Sequence, residues 1–431
     1  MIVNRMRNLT LNLCLVAVTI SIGLAALELG LRVVGYNKPI VYAYSLHTGT
    51  TIRPNIAGWV ENEATVYVKT NAFGLRTGLG AATDRRPERG SGKDLIRIAI
   101  IGDSYAESHH VEHQESFPYL LEQKLSACVE SHVRVEVLNF AVSGYNNVQA
   151  LQSLRHRARA FSPDVVLLVF HANNDLSGNY RKLEKNPYIP YAEFANGDLK
   201  LDLSFEEDAV FQRKLRWSNL RNQVSNHVRV LQLVTNAYGA IVNWRARAVP
   251  ASNHIPPQRA GSSPANSPSP VPLQSNRSDY FKTNFIPAGL TAPGEHHPPR
   301  DGFQEMLWQL AEALVRRIAE DVHATGASFW LTATATGAAI TPSQEYRQQT
   351  DISDGHAYAT QRLSRLATSI GIPFVSLRKE LLQKATTSGR NLEYFKKKNV
   401  YGHWNALGHA TVGETLANAL CPHVKEKIVV K

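Results

Sequence analysis

From Leu95 onward, short β-branched runs alternate with stretches of helical spacing, and this constrains the fold more than any other feature of the chain. Residues 96–101 form an apolar run. Residues 115–128 carry Phe117, Leu120, Leu121 and Leu125 on one helical side. A strand is expected over 133–140, a helix over 148–161 and a buried strand over 164–170. The pattern resumes with a helix over 303–325, a strand over 328–334, a helix over 357–370, a strand over 373–377 and a closing helix over 408–420. Strands alternating with helices imply a parallel sheet covered on both faces, an α/β class with three α/β/α layers.

The 431 residues divide by pattern into an N-terminal apolar segment (1–36), a leading segment with short strands (37–94), a core in two pieces (95–176 and 301–431) and an insertion (177–300). In the leading segment, Ala64 to Thr70 alternates like a strand, and Asn71-Ala-Phe-Gly-Leu-Arg76 reads as a turn. Residues 80–94 are polar and Gly-rich and read as a loop. Within the insertion, residues 205–247 read as helical, whereas 249–300 are rich in Pro, Ser and Asn and read as a mobile excursion.

Residues 9–27 carry no charge and follow Arg5 and Arg7. A span of about 20 apolar residues crosses a bilayer core. Apolar residues lie on every face rather than in one stripe, unlike a helix buried along one side. Gly23-Leu24-Ala25 offers a cleavage signal, yet the apolar run continues to Val34, which favours an uncleaved anchor. The shallow bias of flanking positive charge places the N-terminus inside and the remaining chain outside. The chain is therefore expected to be a single-pass membrane protein with its large domain outside. The net charge of +11 is scattered with no basic stripe of interleaved aromatics, so no nucleic-acid partner is expected.

Active sites of open α/β sheets lie beyond the carboxyl ends of their strands. Four segments at such positions are polar: Gly102-Asp103-Ser104, Asn139-Phe-Ala-Val-Ser-Gly144, His171-Ala-Asn-Asn174-Asp175 and Tyr401-Gly-His403-Trp-Asn405. A serine hydroxyl needs a positioned base to become a nucleophile, and His403 is the candidate. The oxyanion formed on attack needs preorganised donors; the backbone N–H groups of Ser104 and Gly144 and the Asn174 amide are the candidates. Asp103 is expected to order its own loop, with Asp175 and Asn405 in support. Trp404 is expected to fix the last loop, and His409 to be structural.

In order and placement these four segments resemble the blocks of the SGNH hydrolases, or GDSL-type esterases, whose Ser, Gly, Asn and His map to Ser104, Gly144, Asn174 and His403. The resemblance covers residues 95–176 and 303–420. With the apolar N-terminus and the turn at 71–76, it extends to a membrane-anchored bacterial subgroup. It implies a flavodoxin-like core, an acyl-enzyme at Ser104, no cofactor, and hydrolysis of O-acyl esters, here of envelope or exported glycans. The same site could pass its acyl group to a sugar hydroxyl as an O-acyltransferase, or bind glycans without turnover.

One departure bears on mechanism. The family pattern has an Asp two or three residues before the histidine, where this chain has Tyr401 and Val400. Three outcomes are open: a Ser–His dyad held by a backbone carbonyl, which ranks first; a distant acid such as Glu393; or lost hydrolytic power. His109-His110-x-x-His113 lacks the Cys or carboxylate spacing of a zinc site, so no metal is expected and these histidines are placed at the pocket mouth. Cys128 and Cys421 fall near the ends of the first and last core helices. In a flavodoxin-like winding these could be neighbours and form a disulfide in an oxidising compartment.

Overall fold

The structure, a computed structural model, describes residues 2–78, 94–184, 186–248, 298–341 and 358–429. The loop expected over 80–94 and the Pro/Ser-rich stretch over 249–300 lie almost wholly outside these residues.

The central sheet contains β6 (Asp94–Gly102), β7 (Val133–Asn139), β8 (Val165–Phe170), β11 (Ser328–Ala333) and β12 (Phe374–Ser376), in the order β12-β11-β8-β6-β7, all parallel. Numbered within the core, that is the flavodoxin-like order 2-1-3-4-5 read from one edge. All six residues of β8, Val-Val-Leu-Leu-Val-Phe, are buried, as expected for a central strand covered on both faces.

The period-two alternation of the strands divides the core into two layers. Ala99, Ile101, Val166 and Leu168 face one side, with Leu151 and Leu154 of α4 (Asn147–His156), Leu314 and Ile318 of α8 (Gly302–His323), and Leu363 and Leu366 of α9 (Tyr358–Ser369). Ile98, Ile100, Val165 and Leu167 face the other, with Leu121 and Leu125 of α3 (Phe117–Cys128), Leu381 of α10 (Arg378–Ser388), and Leu416 and Leu420 of α11 (Ala406–Val429). The result is the three-layer α/β/α sandwich expected from the alternation. Cys128 and Cys421 are joined in a disulfide between α3 and α11, with Cα atoms 6.2 Å apart.

The helix expected over 148–161 ends at His156, where Arg157 leaves helical geometry (φ −129°) and a 3₁₀ turn covers Ala158–Phe161. The closing helix runs to Val429 past Pro422, and its extension buries Val424.

Ahead of the core come a helix α1 (Ile2–Val33), a hairpin of β1 (Tyr42–Ser45) and β2 (Gly49–Ile52), and an antiparallel sheet of β3 (Ala57–Glu61), β4 (Thr65–Thr70) and β5 (Arg76–Thr77). Met6–Val33 is long and apolar enough to cross a membrane, and the 18-residue stretch that meets this test has no residue buried within the protein. The turn expected at 71–76 is present: Asn71 Oδ1 accepts from the Phe73 and Leu75 amides.

Two features of residues 177–300 depart from the expectation. Tyr191–Ala195 (β9) and Asp198–Asp202 (β10) form a hairpin closed by Asn196-Gly197, both at positive φ. This dipeptide between alternating runs is a hairpin signal that the sequence reading passed over. The helical stretch is two helices, α6 (Ala209–Ser225) and α7 (Arg229–Ala248), with α6 capped at Asn226.

Candidate active site

Strand β6 delivers the nucleophile candidate. Gly102, at φ +152°, is the last residue of the strand, and a Cβ there would lie 2.8 Å from the Val169 carbonyl oxygen of β8. Only glycine lets the chain turn so close to its neighbour. Asp103 then caps the four-residue helix α2 (Ser104–Glu107), its Oδ1 accepting from the Tyr105 amide at 3.0 Å. Ser104 is the first residue of that helix and is 6% exposed.

His403 arrives from the loop between β14 (Val400–Tyr401) and α11. Its Nε2 lies 2.7 Å from Ser104 Oγ, and its Nδ1 lies 2.7 Å from Glu63 Oε1. A proton on Nδ1, donated to the carboxylate, leaves Nε2 free to accept from the serine hydroxyl. Glu63 sits on the turn between β3 and β4. The acid beside the imidazole therefore comes from the leading segment, which corrects the expectation of a dyad held by a backbone carbonyl. Glu393 is not that acid either: it accepts from Tyr105 Oη at 3.1 Å and from the Gly337 amide at 2.7 Å. Gly402 makes room for the arrangement, since a Cβ there would run into the Glu63 carboxylate.

A second histidine shares the same acid. His110 Nδ1 lies 2.7 Å from Glu63 Oε2, and its ring stacks on His403 with centroids 3.8 Å apart and planes within 4°. His109 and His110 are 0% and 1% exposed, so they are core side chains rather than residues of the pocket mouth. Burial would raise the Glu63 carboxyl pKa, but the two imidazoles overcome it and hold the group far below the usual carboxylate range. Burial pushes His403 down to about 4; the nearby His110 adds to this and Glu63 opposes it. The imidazole is thus neutral near pH 7, the state a general base requires. Among the described residues, Glu63, His110 and His403 bring ligand atoms close enough for a metal to be considered. Here both carboxylate oxygens are taken by hydrogen bonds to imidazole.

On the other side of Ser104, Asp103 organises a second cluster. Its Oδ2 lies 2.6 Å from His171 Nδ1 and accepts from Asn174 Nδ2 at 2.6 Å. Burial would raise the Asp103 pKa, but His171 and other partners keep it below its ordinary value. Asp175 accepts from the His171 amide at 2.7 Å; burial and then the charge of Asp103 push its carboxyl well up. Gly144, at φ +72°, lies in the loop after β7, which is tied to the end of β6 by a Val142 N–H to Gly102 carbonyl bond of 3.2 Å. The structure thus brings Ser104 and His403 into contact and links Asn174 to Ser104 through Asp103.

The supporting residues of the last loop are placed by packing. Asn405 Oδ1 caps α11 by accepting from the Leu407 and Gly408 amides, and its Nδ2 donates to the Asn391 and Tyr394 carbonyls. Trp404 is fully buried and donates to the Ala335 carbonyl at 3.1 Å. His409 is buried and accepts from the Phe117 amide at its Nδ1, 3.3 Å away. Tyr105 lies against His403, His171 and Trp404 with centroids 4.7 to 4.8 Å apart.

The sequence reading missed Glu63, gave no role to His171 and set His110 at the pocket mouth. For Glu63 the one signal was indirect, namely Tyr401 where an acid was expected.

No protein-family profile matches the chain, and no curated protein matches it. Among solved structures, the chain is similar to the acetyl xylan esterase AlAXEase at 11% identity and a TM-score of 0.34, over 75% of this chain and 100% of that one. It is similar to a catalytic mutant of Axe2, an acetylxylan esterase from Geobacillus stearothermophilus, at 9% identity and a TM-score of 0.35, over 76% and 94%. It is also similar to a putative lipolytic protein of the G-D-S-L family from Desulfitobacterium hafniense DCB-2, at 11% identity and a TM-score of 0.33, over 75% and 99%. Likenesses this distant do not bear on function.

Proposed function

We propose that the chain is a serine esterase or deacylase of the SGNH type. The observation that carries this reading is the continuous relay from Glu63 through His403 to Ser104, with both links at 2.7 Å. In the acylation step, Ser104 Oγ bonds to the acyl carbonyl carbon while its proton passes to His403 Nε2. The tetrahedral oxyanion is held by the Ser104 and Gly144 amides and by the Asn174 side chain. An amide nitrogen carries two N–H groups, so Asn174 can serve Asp103 and substrate together. Each such donor contributes about 3 kcal/mol to the transition state. Collapse breaks the bond to the alcohol oxygen, which leaves with the proton from His403. Water then attacks the acyl-enzyme with His403 again taking the proton, and the carboxylic acid departs as Ser104 regains its hydrogen.

Glu63 restores the acid whose absence motivated a non-catalytic reading. Ionised and bonded to Nδ1, it fixes the tautomer and stabilises the imidazolium formed in each step. In this reading α1 anchors the chain in the inner membrane and the α/β/α core faces the periplasm. The Cys128–Cys421 disulfide supports an oxidising compartment. O-acyl groups on envelope or exported glycans are the substrates such a location would offer.

The test is release of a chromogenic short-chain ester by the purified full chain in detergent, compared with Ser104→Ala and His403→Ala. Turnover by wild type and its loss in both variants supports the proposal. A folded wild type no faster than Ser104→Ala refutes it.

A further inference from the structure

The consecutive helices α6 and α7 have no role in the relay, and their surface is unusual for a water-facing arm. On α7, Leu231, Val234, Tyr238 and Ile241 recur at helical spacing, and all four are exposed, Val234 at 58% and Tyr238 at 68%. On α6, Trp217, Leu220 and Val224 form a second exposed stripe, Trp217 at 66%. Among the described residues nothing covers either stripe. Neither helix contains an Asp or Glu, whereas Arg213, Lys214, Arg216, Arg221 and Arg229 all lie on them.

Where α7 starts is what selects the occupant. The Val230 amide donates to Glu28 Oε2 at 2.9 Å, Arg32 Nη2 donates to the His227 carbonyl at 2.6 Å, and Asn236 Nδ2 donates to Tyr36 Oη at 3.3 Å. Glu28 and Arg32 lie in the last turns of α1, at the end of the apolar span Met6–Val33. The first turns of α7 are therefore held at the level where a bilayer crossed by α1 would give way to water. From there the stripe from Leu231 to Ile241 extends about 15 Å at 1.5 Å per residue. An apolar stripe with Trp and Tyr, basic residues and no acidic ones is the composition of a helix lying in the membrane interface. Anionic headgroups attract such basic residues.

We propose that the helices α6 and α7 lie on the anionic bilayer surface around α1, with the Leu231–Val234–Tyr238–Ile241 stripe among the acyl chains. The core would then be held at a fixed height and tilt over the membrane rather than swinging from α1. This inference rests on the reading of α1 as a membrane span.

Site-directed spin labelling separates the two ideas. The full chain is reconstituted in vesicles of mixed phosphatidylglycerol and phosphatidylethanolamine. One sample carries a nitroxide on the native Cys14, which is the free cysteine of the chain and lies in α1. A second carries it on Val234→Cys in a Cys14→Ser background. The expected result is that both labels collide more with oxygen than with a water-soluble nickel complex. Replacing phosphatidylglycerol by phosphatidylcholine is expected to shift the ratio at position 234 toward nickel and leave position 14 unchanged. A lipid-like signal at 14 with a water-like signal at 234 overturns the proposal and leaves the anchor standing. A signal at 234 shielded from both reagents also overturns it, in favour of a protein covering. A water-like signal at 14 removes the anchor and the proposal together.

Discussion

Glu63 Oε1 lies 2.7 Å from His403 Nδ1, although the two residues are 340 positions apart in the chain. The contact joins the β3–β4 turn to the loop before the last helix. If Glu63 fixes the tautomer of the base, Glu63→Gln keeps the shape but loses the charge. The expected outcome is a fall in kcat of about 10³- to 10⁴-fold with the fold intact. Steady-state kinetics on a short-chain ester, with circular dichroism as the control, checks it.

The pH profile follows from the state of His403. Protonated at Nε2 the imidazole cannot accept from Ser104, so kcat/KM is expected to fall as pH drops through about 4 and to be level above it. A limb at 6–7, the ordinary histidine range, would show that His403 is not buried as described.

His110 gives this profile a second handle. Its proximity lowers the pKa of His403, so His110→Gln is expected to move the acid limb of kcat/KM to higher pH. A variant that lost activity without moving the limb would show that His110 only fills space.

Asp103 is a buried acceptor for the Tyr105 amide, the Asn174 amide and His171. Asp103→Ala leaves these donors unmatched, at an expected cost of about 3 kcal/mol of stability. It also frees Asn174 from its position, so activity should fall further than stability explains. Urea unfolding and kinetics on the same preparation separate the two effects.

Strands of the sheet end at the site and core helices run back from it, so Cys128, the last residue of α3, and Cys421, in the second half of α11, lie away from it. Removing the bond through Cys128→Ala and Cys421→Ala is expected to cost about 2–5 kcal/mol, with little change in kcat below the melting transition. Thermal unfolding followed with and without reductant measures this.

Much of this was legible in the sequence because it is local. Gly102-Asp103-Ser104 ends a β-branched strand, and the alternation of strands and helices implies a parallel sheet covered on both faces, while its strand order was implied only by the family resemblance. His403 was legible as the candidate base because it lies in the fourth polar segment, in the loop before the closing helix. Glu63 was not, because a carboxylate on a tight turn between two strands is an ordinary surface feature. Its role exists only once the leading sheet folds against the core and His403 is brought to it. His110 was misplaced for a similar reason: neighbouring polar residues after a nucleophile loop suggest a pocket rim, and only the packing under Glu63 buries them. The break between α6 and α7 was missed because Asn226-His227-Val228 between them contains neither Pro nor Gly.

The most direct test of the central claim is covalent trapping of Ser104 with a fluorophosphonate, which reacts only with an activated serine. Intact mass and peptide mapping would follow the full chain, wild type and Glu63→Gln. One adduct on Ser104 is expected in the wild type, with labelling slowed by about 10³-fold in Glu63→Gln, matching the loss of the orienting acid. Folded wild type that takes no label, or Glu63→Gln that labels as fast as wild type, would contradict it.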